Sequence, residues 1–329
     1  MCGFLFYFNI SKKYKKNDFL KSAKLLQHRG PDDYSDYFNN DIAIAFYRLS
    51  IRDLSKKGRQ PMFSKSKKYI MVFNGEIYNT NEITNKFSLK NLYGNSDSEI
   101  LLEFLESFGI EKINNIKGMF SVVLYDLENK KILAFRDRFG IKPLYYLRDN
   151  SYILFSSEIK PLLRYSKLNK INNSSLLNFF LKGQIENDKK TLFNKVNSLE
   201  PANYLISSKS KFKINTYWKL NNKLNSDSLS DAKEKILSKL KNSVSSHLIS
   251  DKKVGLFLSG GTDSATIAKI LKNYNGIKFD SFTYDFNNND GFTELEKAKF
   301  ISKELKIKNF HCKISPRYVI DNFEKIVRA

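Results

Sequence analysis

Cysteine is nearly absent from this chain: two residues in 329, Cys2 and Cys312, stand at opposite ends. That excludes a disulfide framework and fits a reducing compartment, so a cytoplasmic location is expected. A long apolar run is lacking too. The opening MCGFLFYF has no basic region ahead of it and breaks at Asn9, so neither a secretory leader nor a membrane span is expected. Basic stripes are also missing. A formal net charge of +22 invites a nucleic-acid reading, because a basic surface collects phosphates. The lysines, however, are spread over the whole chain among many asparagines. The runs KKYKK (12–16) and KSKK (65–68) are short and no stripe of Lys/Arg interleaved with aromatics appears, so no dedicated nucleic-acid partner is expected.

What is present suffices for two folded domains: hydrophobic residues make up 41% and aromatics 14%, and domains typically span roughly 100–200 residues. FLFYFNI (4–10), IAIAFYRLSI (42–51) and YIMVFNGEIY (69–78) read as strands. Hairpins are predicted over 120–137, turning at Glu128-Asn129-Lys130, and over 143–158, turning near Asp149-Asn150. Helical periodicity appears at 18–28 and at 98–108, where Ile100, Leu101, Phe104, Leu105 and Phe108 recur. Strands outnumber helices, which predicts an α+β first domain over 2–217.

Asn221 to Ser230 shifts to Asn, Ser, Lys and Asp and marks a linker, with the second domain at 226–329. Asp231 with Glu234 opens a helix carrying Ile236, Leu237, Leu240, Val244 and Leu248 on one face. KVGLFL (253–258) reads as a buried strand, followed by helix 264–274, strand 279–286, helix 293–306, strand 309–314 and a helical stretch at 319–329. This alternation predicts a parallel sheet with helices on both faces. Three strands make a small sheet, and the unit is expected to be incomplete.

LFLSGGTDSATIAKIL (256–271) runs from strand to helix through paired glycines. Glycines let backbone approach an anion, and hydroxyls and free amides at a helix start donate to phosphate oxygens. Asp263 would repel such phosphates without a cation between them, which points to Mg²⁺. The loop is neither G-x-x-x-x-G-K-[ST] nor G-x-G-x-x-G, and a ligand-free glycine turn is the alternative. At the other end, Cys2 becomes the first residue if Met1 is removed, which a small second residue permits. The new α-amine has a reference pKa of about 7.7–8.0. It can serve as general base without a histidine, and only His28 lies in the first half. The alternative is a small apolar residue on a first strand.

RGPDD (29–33), YRLSIRDL (47–54), FNGEIYN (73–79), GNSDSE (94–99), GMFSVVLYD (118–126), RDRFGIKPLYY (136–146) and SSEIK (156–160) follow Cys2 in order. Together they resemble the glutaminase domain of class II glutamine amidotransferases, the N-terminal-nucleophile type. S-G-G-x-D-S is similar to the pyrophosphate loop of ATP pyrophosphatases that adenylate a substrate. The joined chain resembles the family of glutamine-hydrolysing asparagine synthetases.

The resemblance implies a four-layer αββα Ntn-hydrolase domain. An α/β doubly wound parallel sheet of the adenine nucleotide α-hydrolase kind follows it, the latter incomplete. It implies that Cys2 attacks the glutamine amide, and that the Asn74 side chain and Gly75 N–H stabilise the oxyanion. Arg48 would bind the α-carboxylate beside Leu49, and Asp97, assisted by Glu76, the α-ammonium. ATP would lie on Ser259, Gly260, Gly261, Asp263 and Ser264, with Mg²⁺ at Asp263 and the nucleoside near Phe257, Leu258 and Tyr284. Expected partners are glutamine, ATP and aspartate or another carboxylate, with no membrane and with a homodimer left open.

Thr262 and LEPAN (199–203) depart from the family pattern, and its Ser-Gly-(Glu/Asp)-Gly-x-Asp-Glu segment is missing, so a fragment is expected. Other readings are amidation of a carboxylate on a surface sugar and a class II enzyme making glucosamine 6-phosphate or phosphoribosylamine, which needs no adenylating loop. A glutamine or nucleotide sensor with decayed catalysis is the non-enzymatic one.

Overall fold

Phe4, Phe6 and Phe8 alternate with Leu5 and Tyr7 along the first strand, and all five are buried. A strand sends alternate side chains to opposite faces, so this one must be covered on both. The computed structural model, which describes residues 1–185, 189–222, 226–274, 278–286 and 294–328, shows how. The chain resolves into two compact units, Met1–Asn222 and Lys223–Ala329.

In the first unit the strands are β1 (Gly3–Asn9), β2 (Asp33–Phe38), β3 (Ile42–Arg48), β4 (Met62–Phe63), β5 (Tyr69–Ile77), β6 (Gly118–Asp126), β7 (Lys131–Arg136), β8 (Tyr145–Arg148), β9 (Tyr152–Ser156), β10 (Val196–Ser198), β11 (Asn203–Ser207) and β12 (Phe212–Thr216). The helices are α1 (Lys16–Ala23), α2 (Thr80–Lys86), α3 (Asp97–Phe108), α4 (Ile159–Ser166) and α5 (Asn173–Lys182). Two six-stranded sheets form, in the orders β10-β8-β9-β1-β3-β2 and β12-β11-β7-β6-β5-β4. All their pairings are antiparallel.

Between the sheets lie Phe4, Phe6, Phe8, Ile42, Ile44 and Phe46 from one and Ile70, Val72, Val123 and Ile132 from the other. The alternate residues face outward: Leu5, Tyr7, Ala43 and Ala45 meet Phe19 and Ala23 of α1 and Leu162 of α4. Met71, Phe73, Val122 and Leu124 meet Ile83 of α2 and Leu101 and Phe104 of α3. The layers are therefore helix, sheet, sheet, helix. Both hairpins and the helix at 98–108 fall where the sequence places them; the stretch at 18–28 is α1 tightening into a 3-10 turn at Lys24–Arg29.

The second unit comprises α6 (Leu229–Ser246), β13 (Gly255–Phe257), α7 (Thr262–Lys272), β14 (Asp280–Phe286), α8 (Leu295–Leu305), β15 (Asn309–Ile314), α9 (Pro316–Asp321) and α10 (Phe323–Arg328). The sheet is parallel, β13-β14-β15. Ser281, Thr283 and Asp285 point to the side where α7 and α8 pack around Leu258, Ala268 and Ala298. On the opposite side Phe257, Phe282, Tyr284 and Phe286 are exposed. The sheet is thus wound from one side only among the described residues, the incomplete form of the doubly wound architecture.

Several expectations change. KVGLFL is not a buried strand: Phe257 is 68% exposed because it lies on the open face. The helix expected from Asp231 starts at Leu229, since the Ser228 side chain caps it by accepting the Asp231 N–H at 3.1 Å. Its Ile236, Leu237 and Leu240 are exposed. The stretch at 319–329 is two helices broken at Asn322. Residues 223–225 of the expected linker, 293 of the expected helix 293–306, and 329 lie outside the described residues.

Candidate active site

The alternation that builds the inter-sheet core also builds a site at one end of it. Beyond Ile42, Ile44 and Phe46, the next inward position of β3 is Arg48; beyond Ile70 and Val72 on β5 come Asn74 and Glu76. Ahead of Phe4 on β1 comes Cys2, which packs against the same core. Three strands therefore deliver a thiol, a guanidinium, an amide and a carboxylate to one place by period-two geometry.

Cys2 is half-buried, and its sulfur accepts the Leu49 N–H at 3.4 Å and faces the Leu49 carbonyl at 3.6 Å. Burial pushes the thiol pKa up; the Leu49 N–H, the chain-terminal amine and Arg48 oppose this. Cys2 at rest is a thiol that needs a base. The terminal amine sits on Met1, whose side chain is half-exposed, and burial followed by the charges of Arg29 and Lys142 lowers its pKa.

Asn74 is 1% exposed, yet among the described residues its side-chain nitrogen has no hydrogen-bond partner. Buried polar groups are nearly always satisfied, so an orphan donor marks a place where something else binds. Gly75 lies opposite Phe120, and a Cβ there would come within 2.2 Å of the Met119 carbonyl oxygen. Only glycine allows the β5–β6 spacing at this point.

Arg48 is buried and donates to the carbonyls of Ser55 (2.8 Å), Arg52 (3.4 Å) and Asp53. Among the described residues no carboxylate pairs with it. Asp97 is the first residue of α3, the cap being Ser96, and accepts the Ile77 N–H at 3.0 Å. Burial raises its pKa against the pull of Arg52. Burial and then the Asp97 charge push Glu76 up to about 8. Cys2, Arg48, Leu49, Gly75, Glu76 and Asp97 line a cavity of about 30 Å³, with Asn74 behind its lining rather than in it, roughly the room of one water.

In the second unit, Gly260 has φ +79°, and a Cβ there would lie 2.6 Å from that of Lys297. Ser264 Oγ bonds Ser259 Oγ at 3.1 Å and donates to the Gly261 carbonyl at 3.1 Å. Gly261 caps α7 without a side chain, leaving its first N–H groups to solvent beside exposed Asp263. A cleft of about 370 Å³ opens next to the loop, lined by Phe257, Leu258, Ser259, Tyr284 and Glu294 among others. The structure thus brings together Cys2, Arg48, Leu49, Asn74, Gly75, Glu76 and Asp97 in one unit. Phe257, Leu258, Ser259, Gly260, Gly261, Asp263, Ser264 and Tyr284 gather at the strand ends of the other.

Sequence reasoning gave no role to three residues at the first site. Gln60 clamps Phe73, the neighbour of Asn74, accepting its N–H at 2.6 Å and donating to its carbonyl at 3.1 Å. Arg52 donates to the Ile77 carbonyl at 2.9 Å. Lys142 is a lysine only 7% exposed. Arg52 and Lys142 lie inside motifs already singled out, RLSIRDL and RDRFGIKP, but nothing in a linear pattern shows which lysine is buried.

A helix–sheet–sheet–helix sandwich with a thiol at the head of a central strand defines the N-terminal-nucleophile class of amidohydrolase fold. Residues 1–218 match the glutamine amidotransferase domain family and residues 235–329 match asparagine synthase. The chain belongs to the glutamine amidotransferase family.

Asparagine synthetase [glutamine-hydrolyzing] 1 of Bacillus subtilis is 31% identical over 99% of this chain and 52% of its own length. Putative asparagine synthetase [glutamine-hydrolyzing] 2 of Methanocaldococcus jannaschii is 29% identical over 99% and 67%. Amidase chry2 of Gibberella zeae is 28% identical over 92% and 48%. The chain spans about half the length of most of these relatives. Among solved structures, the allosteric regulatory enzyme of purine biosynthesis superposes with a TM-score of 0.52 at 12% identity, covering 95% of this chain and 80% of its own, a likeness of fold.

Proposed function

We propose that the first unit hydrolyses glutamine at Cys2, and that the ammonia released amidates a carboxylate activated with ATP at the second. The orphan Asn74 amide nitrogen carries this reading. With the Gly75 N–H it would receive the oxyanion that forms when Cys2 attacks the side-chain amide. After Met1 removal the Cys2 α-amine takes the thiol proton and returns it to the departing ammonia. Arg48, which pairs with no carboxylate among the described residues, suits the glutamine α-carboxylate. Asp97 and Glu76 suit its ammonium, whose charge would draw the proton off Glu76. A cavity of about 30 Å³ must widen to admit glutamine.

At the second unit Ser259, Gly260, Gly261 and Ser264 with the α7 N-terminus fit pyrophosphate, and the cleft by Phe257, Leu258 and Tyr284 fits adenine or ribose. Among the described residues no cluster of His, Cys, Asp or Glu could cage a metal. A lone exposed Asp263 fits Mg²⁺ shared with phosphates, the usual way that ion is held, where it would neutralise their charge. Aspartate is the acceptor that the asparagine synthetase relatives favour. The relatives named as amidases favour a different carboxylate as a second reading.

The test is glutamate release from glutamine by the protein and by Cys2→Ala, with the N-terminus read by mass spectrometry. The expected result is activity that starts at Cys2 and is abolished by Cys2→Ala. Active protein retaining Met1 would overturn the assignment of the base.

A further inference from the structure

We propose that Gln60 is a positioning residue of the glutamine site: its side chain ties the strand that presents Asn74 and Gly75 to the helix start that presents Asp97, holding the groups for the two ends of one substrate in register. The inference deepens the reading of this site as a glutaminase and rests on it. Gln60 is 4% exposed and lines the cavity beside Cys2 together with Phe73, Gly75, Asp97 and Ser98.

The edge of β5 shows what the side chain does. Successive residues of a strand turn their N–H and C=O groups to opposite sides. The Tyr69 carbonyl accepts the Ser64 N–H at 2.9 Å on the side away from β6, and Phe73, Gly75 and Ile77 turn the same way. On that side β4 reaches only Ile70 and Met71, so no strand among the described residues covers the rest of the edge. Phe73 is covered instead by Gln60, whose Oε1 accepts its N–H at 2.6 Å while Nε2 donates to its carbonyl at 3.1 Å. Ile77 is covered by Asp97, which accepts its N–H at 3.0 Å, and by Arg52, which donates to its carbonyl at 2.9 Å. Gly75 lies midway, and its N–H turns towards the cavity that it lines.

The other hydrogen of Gln60 Nε2 reaches α3. It is donated to Ser98 Oγ at 3.2 Å, and Ser98 follows Asp97 in the first turn of that helix. The start of α3 is therefore fastened to the β5 edge on both sides of Gly75, through Gln60 at Phe73 and through Asp97 at Ile77. The Gln60 main chain is anchored on the other sheet, its carbonyl accepting from Ser35 Oγ of β2. Both hydrogens and the oxygen of the Gln60 amide are engaged, so its orientation is fixed and a hydrocarbon of the same size cannot replace it. The oxyanion and the α-ammonium of one glutamine are met by groups on different elements, and a slip of about 1 Å between those elements misplaces the reacting amide.

The experiment measures kcat and KM for glutamate release by the whole protein and by Gln60→Met, Ser98→Ala and Cys2→Ala. Gln60→Met keeps the volume and removes every side-chain bond just described. Its kcat should fall at least about tenfold as the oxyanion donors lose alignment, and its KM should rise at least about threefold as Asp97 shifts. Ser98→Ala cuts only the fastening to α3, so KM should rise about twofold or more while kcat stays within about twofold of wild type. A Gln60→Met enzyme altered in neither constant, or in only one, overturns the proposal, because a purely structural loss lowers kcat by the inactive fraction and leaves KM alone. Should Gln60→Met not fold, Ser98→Ala decides, and an unchanged KM overturns the proposal. Glutamine left intact by the unaltered protein, or an active Cys2→Ala, overturns instead the reading of the site on which the inference rests.

Discussion

At Cys2 burial and chemistry pull in opposite directions: the surroundings that exclude water also hold the proton on sulfur. The same tension governs Glu76 and Asp97, two carboxylates whose burial outweighs the opposing pull of Arg52. Burial and the neighbouring charge raise Glu76 from 4.5 to about 8, so below that pH the empty site keeps a proton there. The folded state then binds that proton more tightly than the unfolded one. The stability it contributes is complete below about pH 4.5 and is lost as pH rises through about 8. An incoming ammonium reverses the preference, because it requires the carboxylate ionised. The KM for glutamine should therefore fall as pH rises from 6 towards 8, by at most about tenfold per unit. Glu76→Gln should flatten the dependence while raising KM. A wild-type KM independent of pH in steady-state assays would rule out Glu76 as a partner of the ammonium.

Among the elements, β5 carries the most. It delivers Asn74 and Glu76 inward and packs Met71 and Phe73 outward, and its spacing from β6 closes to the point where a methyl at Gly75 would strike the Met119 carbonyl. Gly75→Ala should push the two strands apart at Asn74. The expected result is loss of glutaminase with a lowered melting temperature and an unchanged far-UV spectrum; a variant with wild-type activity would show that the spacing is irrelevant to the site. Strands such as β1, β3 and β5 were legible because they are rich in β-branched and aromatic residues. The strand β2, DYSDYF, was not, since a half-buried Asp33 and an exposed Asp36 on an edge strand look like a loop. The helix α6 was legible as periodicity, but its apolar face predicted burial that Ile236 and Leu237 do not have. Periodicity reports which residues share a face, and what covers that face is decided elsewhere in the chain.

For the whole molecule, the motif order separates the two proposed sites: the residues proposed to bind glutamine end before those proposed to bind a nucleotide begin. Gln60 stayed hidden because its contact depends on folding a distant segment onto Phe73. Every residue lining the cavity beside Cys2 belongs to the first unit, so hydrolysis of glutamine to glutamate should need no nucleotide. The phosphate loop depends on Gly260, whose φ of +79° and tight approach to Lys297 leave no room for a side chain. Gly260→Ala should therefore weaken ATP binding, read by calorimetry or fluorescence, while leaving ATP-independent glutaminase intact. Cys2→Ala should do the reverse, and in a chain extended to the length of its relatives it should still support synthesis from added ammonia. Loss of both activities in either variant would mean that the two sites are one catalytic unit rather than a source and a consumer of ammonia.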